Sequence, residues 1–344
     1  MRNNLSPIDQ LFAIAAKCPA THAFSARTQR AAIVWQRRTR EALRSSLGFA
    51  ALRASGRCWR VSQADRGDHV LSEYRVPVAG GTQLPVFVLE PPGRGVDLPC
   101  VLALHGHGYG VNDIIGRDAT GRDRSLPPDS YHRDFALSLV RQGFLVAAPE
   151  INCFGRRVGS FAALPEQLRP STCYLASAIA LMLGGTMLGL RVHEAGRAID
   201  LLQALPRASR RLGVMGISGG GMLALFTAAL DARIRAAVIS GYFCSWKFDI
   251  QAMHHCLCNY VPGMSQFGDV GDIGSLLAPR PVLIEHGTHD EIMPLAGVRS
   301  AVRSARRAWA TLGQPRALRT DIFEGGHMIH GVKAFPFLAR ALAR

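Results

Sequence analysis

"LGVMGISGGGMLALF", residues 212–226, carries the most information in this chain. An apolar run enters a serine flanked by glycines, and a second apolar run with helical texture leaves it. Gly216, Ser218 and Gly220 fit the pattern G-x-S-x-G. A strand that turns sharply into a helix brings backbone close to the −2 and +2 positions, where glycine is tolerated. The corner lifts the Ser218 hydroxyl above the sheet edge, at the N-terminus of the following helix. The helix dipole and its free N–H groups favour negative charge there.

The sequence on either side supports this corner. "EYRVPV" (73–78) and "LPVFVLE" (84–90) alternate like antiparallel strands. "LPCVLALHGHGYG" (98–110) is an apolar run ending in a Gly-rich loop, which suits a buried strand. Helical and strand texture then alternate through "DFALSLVRQG", "FLVAAPE", "RVHEAGRAIDLLQALP", "RRLGVMGI", "GGMLALFTAALD", "IRAAVISG", "RPVLIEHG", "GVRSAVRSARRAWATLG", "ALRTDIFEGG" and "KAFPFLARALA". This alternation predicts an α/β fold: a mostly parallel central sheet flanked by helices. Residues 1–70 read as an N-terminal helical extension and 71–344 as the catalytic domain. In the extension, Ile33, Trp35, Ala42, Leu43 and Leu47 fall roughly on one helix face, with Gly48 as a stop. Such a face is expected to pack on the main domain or on a second copy of the chain, as a homo-oligomer.

Composition narrows the function. The formal charge is +15, but only Lys17, Lys247 and Lys333 are lysines and the arginines are scattered. No aromatic-basic stripe or zinc-finger spacing accompanies them, so no nucleic-acid partner is expected. "LFAIAA" near the N-terminus is shorter than a secretory apolar region. The apolar stretch "YLASAIALMLGGTMLGL" (174–190) is Gly-interrupted and reads as buried or cleft-lining rather than membrane-spanning. A soluble, cytoplasmic protein with reduced cysteines and no membrane partner is expected.

In open parallel sheets ligands bind outside the carboxyl ends of the strands. "EHGTHDEIMP" places Asp290 after one strand, and "FEGGHMIHG" places His327 after the last. The order Ser…Asp…His matches a hydrolase triad: Ser218 as nucleophile, His327 as base, Asp290 as the acid that orients it. Glu285, Glu291 and His330 are the rivals. The turn in "LHGHGYG" (104–110), at His107 and Gly108, is expected to pair one N–H with that of Gly219 as an oxyanion hole. Tyr109, Phe154, Tyr242 and Trp246 come from loops and are expected to line a small substrate pocket. The segment between "ISGYFCSW" and "LLAPRP" looks too short for a large lid.

Two stretches invite a metal reading. His105 and His107 lack a third ligand at a suitable spacing. In "HHCLCNYVPGM" (254–264), Cys256 and Cys258 beside His254 and His255 lack a second cysteine pair, which a structural zinc site normally has. Neither a metal nor a cofactor is expected, and the loop should pack beside the site with reduced thiols.

Together "VLALHGHGYG", "APEINCFGRR", "MLGLRVHEAGRAIDLL", "HHCLCNYVPGM", "DIGSLLAPRPVLIEHGTHDEIMP" and "FEGGHMIHG" resemble the acetyl xylan esterase-like branch of the dienelactone hydrolase family, within the α/β-hydrolase superfamily. The resemblance spans roughly residues 30–340. It implies a serine hydrolase that cleaves carboxylic esters, often of short acyl groups, with Ser218, Asp290 and His327 at the family's nucleophile, acid and base positions. Dienelactone hydrolases proper use a cysteine where this chain has Ser218, and Glu150 stands where relatives commonly have aspartate. A small acylated sugar or secondary metabolite is the expected substrate. A peptidase, amidase or acyltransferase using the same triad is the alternative, because one acyl-enzyme serves different acceptors.

Overall fold

In the computed structural model, residues 6–49, 52–93, 95–124, 130–159 and 172–343 are described. They contain one nine-stranded sheet of order β1-β2-β3-β5-β4-β6-β7-β8-β9. The strands are β1 Trp59–Asp65, β2 Val70–Pro77, β3 Gln83–Glu90, β4 Leu98–Leu104, β5 Leu145–Pro149, β6 Ala208–Ile217, β7 Ile234–Ser240, β8 Val282–Gly287 and β9 Leu318–Phe323. β1, β2, β3 and β5 pair antiparallel in turn, and the run from β5 through β4 to β9 is parallel. This is the mostly parallel sheet that the alternating pattern predicts, and it has the α/β-hydrolase architecture that the resemblance implies.

The strand at the front of the sheet corrects the expected boundary at residue 70. β1 lies inside the supposed helical extension and forms a hairpin with β2, from Trp59 opposite Arg75 to Asp65 opposite Val70. Its residues are almost all exposed, so no buried face imprinted an apolar alternation on the sequence.

Period-2 alternation sorts the strands onto two cores. Val86, Val88, Cys100, Leu102, Val214 and Ile239 face one side. There they meet helices α2 (Gln29–Leu47), α5 (Met187–Ala204), α6 (Gly219–Leu230), α7 (Val270–Ser275) and α8 (Leu295–Thr311). Phe87, Leu89, Val101, Ala103, Met215 and Val238 face the other side, under α3 (Phe135–Arg141) and α9 (Ala334–Leu342). In α8, Val298, Ala301, Val302, Ala305, Ala308 and Trp309 are buried at helical spacing. The arginines between them stay outside, which places part of the basic charge on a solvated face.

α2 packs on the main domain of its own chain. Leu43 and Leu47 are buried in the larger core, and Gln36 donates to the Ser275 and Ala278 carbonyls at 3.2 and 2.6 Å. Arg40 donates to the carbonyls of Ala229 and Leu276. Trp35 is half-buried, edge-on to Phe24, with its indole N–H on the His22 carbonyl. Ile33 departs from the expected face and points to water, 60% exposed.

The apolar stretch 174–190 is also different from expectation. It breaks into α4 (Thr172–Met182) and the start of α5, bent by 98° across a Gly-Gly turn. α5 is buried, while α4 buries only Cys173, Ser177 and Ala180 and leaves Ile179 and Met182 exposed. Among the described residues no single helix is long and apolar enough to cross a membrane.

Candidate active site

The register of the parallel strands brings the ends of β4, β6, β7 and β8 together, with Leu104 beside Gly216, Ile217 beside Ser240 and Ser240 beside Glu285. Ser218 sits at this edge with φ 56° and ψ −123°, in a conformation non-glycine residues rarely hold. Its N–H is fixed by the Ser240 carbonyl at 3.0 Å, and its own carbonyl accepts the first helical bond from Met222. The glycines at −2 and +2 are steric necessities. A Cβ on Gly216 would lie 2.2 Å from the Gly220 carbonyl oxygen, and one on Gly220 would lie 2.0 Å from that of Leu104.

Asp290 is buried in the turn after β8. Its Oδ1 accepts the N–H groups of Ile292 and Met293 at 2.9 and 3.0 Å, and its Oδ2 meets His327 Nδ1 at 2.7 Å. Burial works to raise the Asp290 carboxyl. The His327 hydrogen bond and charge, with the Met293 N–H, outweigh burial and hold it below the usual carboxylate range. His327 Nε2 is buried with no hydrogen-bond partner among the described residues. Ser218 and His327 line one cavity of about 520 Å³, together with Gly219, His107, Tyr131, Tyr242 and the loop of Met253–Cys256. The volume suits a small ligand.

Two of the three rival groups are engaged elsewhere. Glu285 lies inside β8 and accepts from Ser240 Oγ and the Gly331 N–H, each at 2.8 Å. His330 pairs with Asp321 at 2.9 Å and stacks on Phe323. Glu291 is exposed.

The turn after β4 is held by two buried histidines. Ile151 N–H donates to His105 Nε2 at 3.0 Å, which leaves the proton on Nδ1 to reach the Gly106 carbonyl at 2.8 Å. Gly106 N–H donates to His132 Nε2 at 2.9 Å. Burial pushes His105 down to about 3 and His132 down to about 2, so both serve as neutral acceptors. Glu150 adds a further strut, accepting the Val111 N–H at 2.8 Å. Tyr131, which sequence reasoning did not single out, donates its hydroxyl to the His107 carbonyl at 2.6 Å. Its own carbonyl accepts from Ile329, and its ring lies 5.2 Å from that of His327. Tyr131 thus ties the His107 turn to the His327 loop. Its position just before a buried histidine carried no motif.

Of the four aromatics expected in the pocket, Tyr242 lines it, with a buried hydroxyl that has no partner among the described residues. The other three do not. Tyr109 is 49% exposed and lines a separate depression with Phe87 and Arg156, because its N–H is drawn to Asp113 at 2.6 Å. Phe154 packs edge-on against His105 and His107, behind the turn. Trp246 is buried in the core, its backbone N–H held by Asp269 at 2.9 Å.

The loop of Cys256 and Cys258 packs beside the cavity as expected, and the fold brings it further donors that no second cysteine pair announced. The two sulfurs lie with Cys173 Sγ and a ring nitrogen of His107 within 4.8 Å of one another. Cys173 comes from α4 and His107 from the turn after β4, so no local spacing announces the group. All eight cysteines are unbridged.

The sheet and the serine elbow define an α/β-hydrolase. The model of the Abhydrolase family matches residues 11–308, and the chain belongs to that family and is a hydrolase. It is 27% identical to YtaP of Bacillus subtilis (strain 168), a protein named as a hydrolase, over 76% of this chain and 84% of that one. Among solved structures it resembles a Bacteroides fragilis protein described as an acetyl xylan esterase, with TM-score 0.76 and 18% identity over 92% of this chain and 82% of the other. It also resembles a glucuronoyl esterase from Solibacter usitatus, with TM-score 0.65 and 15% identity over 94% and 97%. These neighbours share the fold and agree with the acetyl xylan esterase-like resemblance read from the motifs.

Proposed function

We propose that this hydrolase is a serine esterase that cleaves short acyl groups from a small ester through an acyl-enzyme. The observation that carries this reading is the pairing of a strained Ser218 with His327 in one cavity, while Asp290 holds His327 Nδ1 and leaves Nε2 without a partner. In this reading Nε2 accepts the Ser218 proton as Oγ attacks the ester carbonyl. Asp290 fixes the tautomer and balances the imidazolium. The N–H of Gly219 and one from the His107–Gly108 turn receive the oxyanion. His327 then protonates the leaving alcohol, and water, activated by the same nitrogen, releases the acid and restores Ser218.

The cavity supports a small substrate. Its walls mix Met253, Ile292 and Met293 with Tyr131, Tyr242, His254, His255 and Asn259, so apolar and hydrogen-bonding surfaces alternate. A short acyl chain on a hydroxylated carrier, such as an acylated sugar or secondary metabolite, matches that mixture. Eight unbridged cysteines suit a reducing compartment, and we place the activity in the cytoplasm.

A fluorophosphonate probe tests the nucleophile: intact-mass analysis should show one adduct on the wild type and none on Ser218→Ala. A p-nitrophenyl ester series from acetate to palmitate, with a matched acetanilide, tests the substrate class. Short esters should be preferred. Activity confined to long chains or to the anilide would overturn the assignment.

A further inference from the structure

We propose that His107, Cys173, Cys256 and Cys258 form a structural zinc site that fastens the turn after β4 to α4 and to the loop beside the active-site cavity. The four ligand atoms lie within 4.8 Å of one another. Cys256 Sγ is 3.1 Å from Cys173 Sγ and 3.3 Å from Cys258 Sγ. Zinc–sulfur bonds of about 2.3 Å in a tetrahedron place sulfurs about 3.8 Å apart, within the range these four atoms span. Three thiolates and one imidazole are a soft donor set that suits zinc rather than calcium or magnesium. His107 Nε2 is buried with no hydrogen-bond partner among the described residues.

A second observation concerns charge. Arg191 is 3% exposed, and its guanidinium reaches the Asn152 carbonyl at 2.9 Å and Cys173 Sγ at 3.2 Å. Glu194, three residues on, pairs with Arg157 instead, Arg191 has no carboxylate partner among the described residues, and its Nε has no hydrogen-bond partner there. A buried cation without an anion is costly. Three thiolates around a divalent ion leave one net negative charge, which Arg191 neutralises. Four protein ligands close the coordination sphere, so the ion has no open position and serves architecture. His107 lies against Gly219, its Nδ1 3.2 Å from where a Cβ at that glycine would stand. The site therefore fixes the wall of the cavity next to Ser218.

The test is metal content of the full-length protein purified under reducing conditions without chelator and reconstituted with Zn2+. About one zinc per chain is expected, released by a mercurial thiol reagent in step with thiol titration. Cobalt substitution should give a thiolate-to-cobalt charge-transfer band. Cys256→Ser and Cys258→Ser should each lose the band and most of the zinc, whereas Cys18→Ser, an exposed thiol outside the cluster, should keep both. Ser218→Ala should also keep the zinc, which separates this proposal from the esterase reading. Wild-type protein with free thiols and under about a tenth of a zinc per chain after reconstitution would overturn it, as would zinc retained in both cysteine variants. A Cys173–Cys256 disulfide in the reconstituted protein, seen as a mass two hydrogens lighter, would also overturn it.

Discussion

Replacing Asp290 with asparagine changes one atom and should switch off the reaction. Asp290 Oδ1 accepts two backbone N–H groups, from Ile292 and Met293, and Oδ2 meets His327 Nδ1 at 2.7 Å. In Asp290→Asn the amide oxygen must stay on the two backbone donors, because an NH2 there would oppose them. The amide NH2 is then aimed at His327 Nδ1, which has to accept. The imidazole proton moves to Nε2, and under the proposed mechanism that nitrogen can no longer take a proton from Ser218. The matching change in a serine-protease triad lowers kcat by about 10⁴. We expect the same scale here, about 5.5 kcal/mol of transition-state stabilisation. Hydrolysis of p-nitrophenyl acetate measures it, with near-ultraviolet circular dichroism and Tm showing that the fold persists. Glu285→Gln, which alters another buried carboxyl, should stay within about tenfold of wild type if its fold holds, since Glu285 bonds Ser240 and Gly331. A folded Asp290→Asn enzyme within about tenfold of wild type would refute the tautomer argument.

Other outcomes follow from the same geometry. Asp290 has a depressed folded-state pKa, so its stabilisation is full above the ordinary carboxylate range and is lost as pH falls through the lower folded value. The Tm of Asp290→Asn should therefore decline less than that of wild type on acidification from about pH 5 to about pH 3. Gly220→Ala forces a Cβ to 2.0 Å from the Leu104 carbonyl oxygen and should lower stability by at least about 1–3 kcal/mol in urea titration, with loss of fluorophosphonate labelling. Leu43→Ala should cost about 2–5 kcal/mol, because this extension residue is 1% exposed, whereas Ile33→Ala should stay within about 0.5 kcal/mol. Tyr131→Phe strips the His107 carbonyl of its 2.6 Å donor and should cost about 1–3 kcal/mol of stability together with a fall in kcat; unchanged values in both would show that Tyr131 does not brace the turn.

Short-range demands were legible from the residues alone. Gly216 is required by a contact inside the turn's own segment, with the Gly220 carbonyl, so the glycine at −2 announces the corner before any packing is known, whereas the demand on Gly220 comes from Leu104 of the adjoining β4. The doubly covered parallel strands read as apolar runs because both their faces are buried. The order Ser218, Asp290, His327 is a property of the chain. Placement at longer range was decided by tertiary structure. β1 is exposed and left no apolar pattern, so its place in the sheet depends on pairing with β2. Tyr109, Phe154 and Trp246 are loop aromatics whose directions are set by Asp113, the paired histidines and Asp269. Cys173 and Cys256 are 83 residues apart, yet their sulfurs lie at 3.1 Å. Spacing along the chain describes only neighbours within a helical turn or a strand. Side chains on separate elements meet when the sheet register and helix packing bring those elements together.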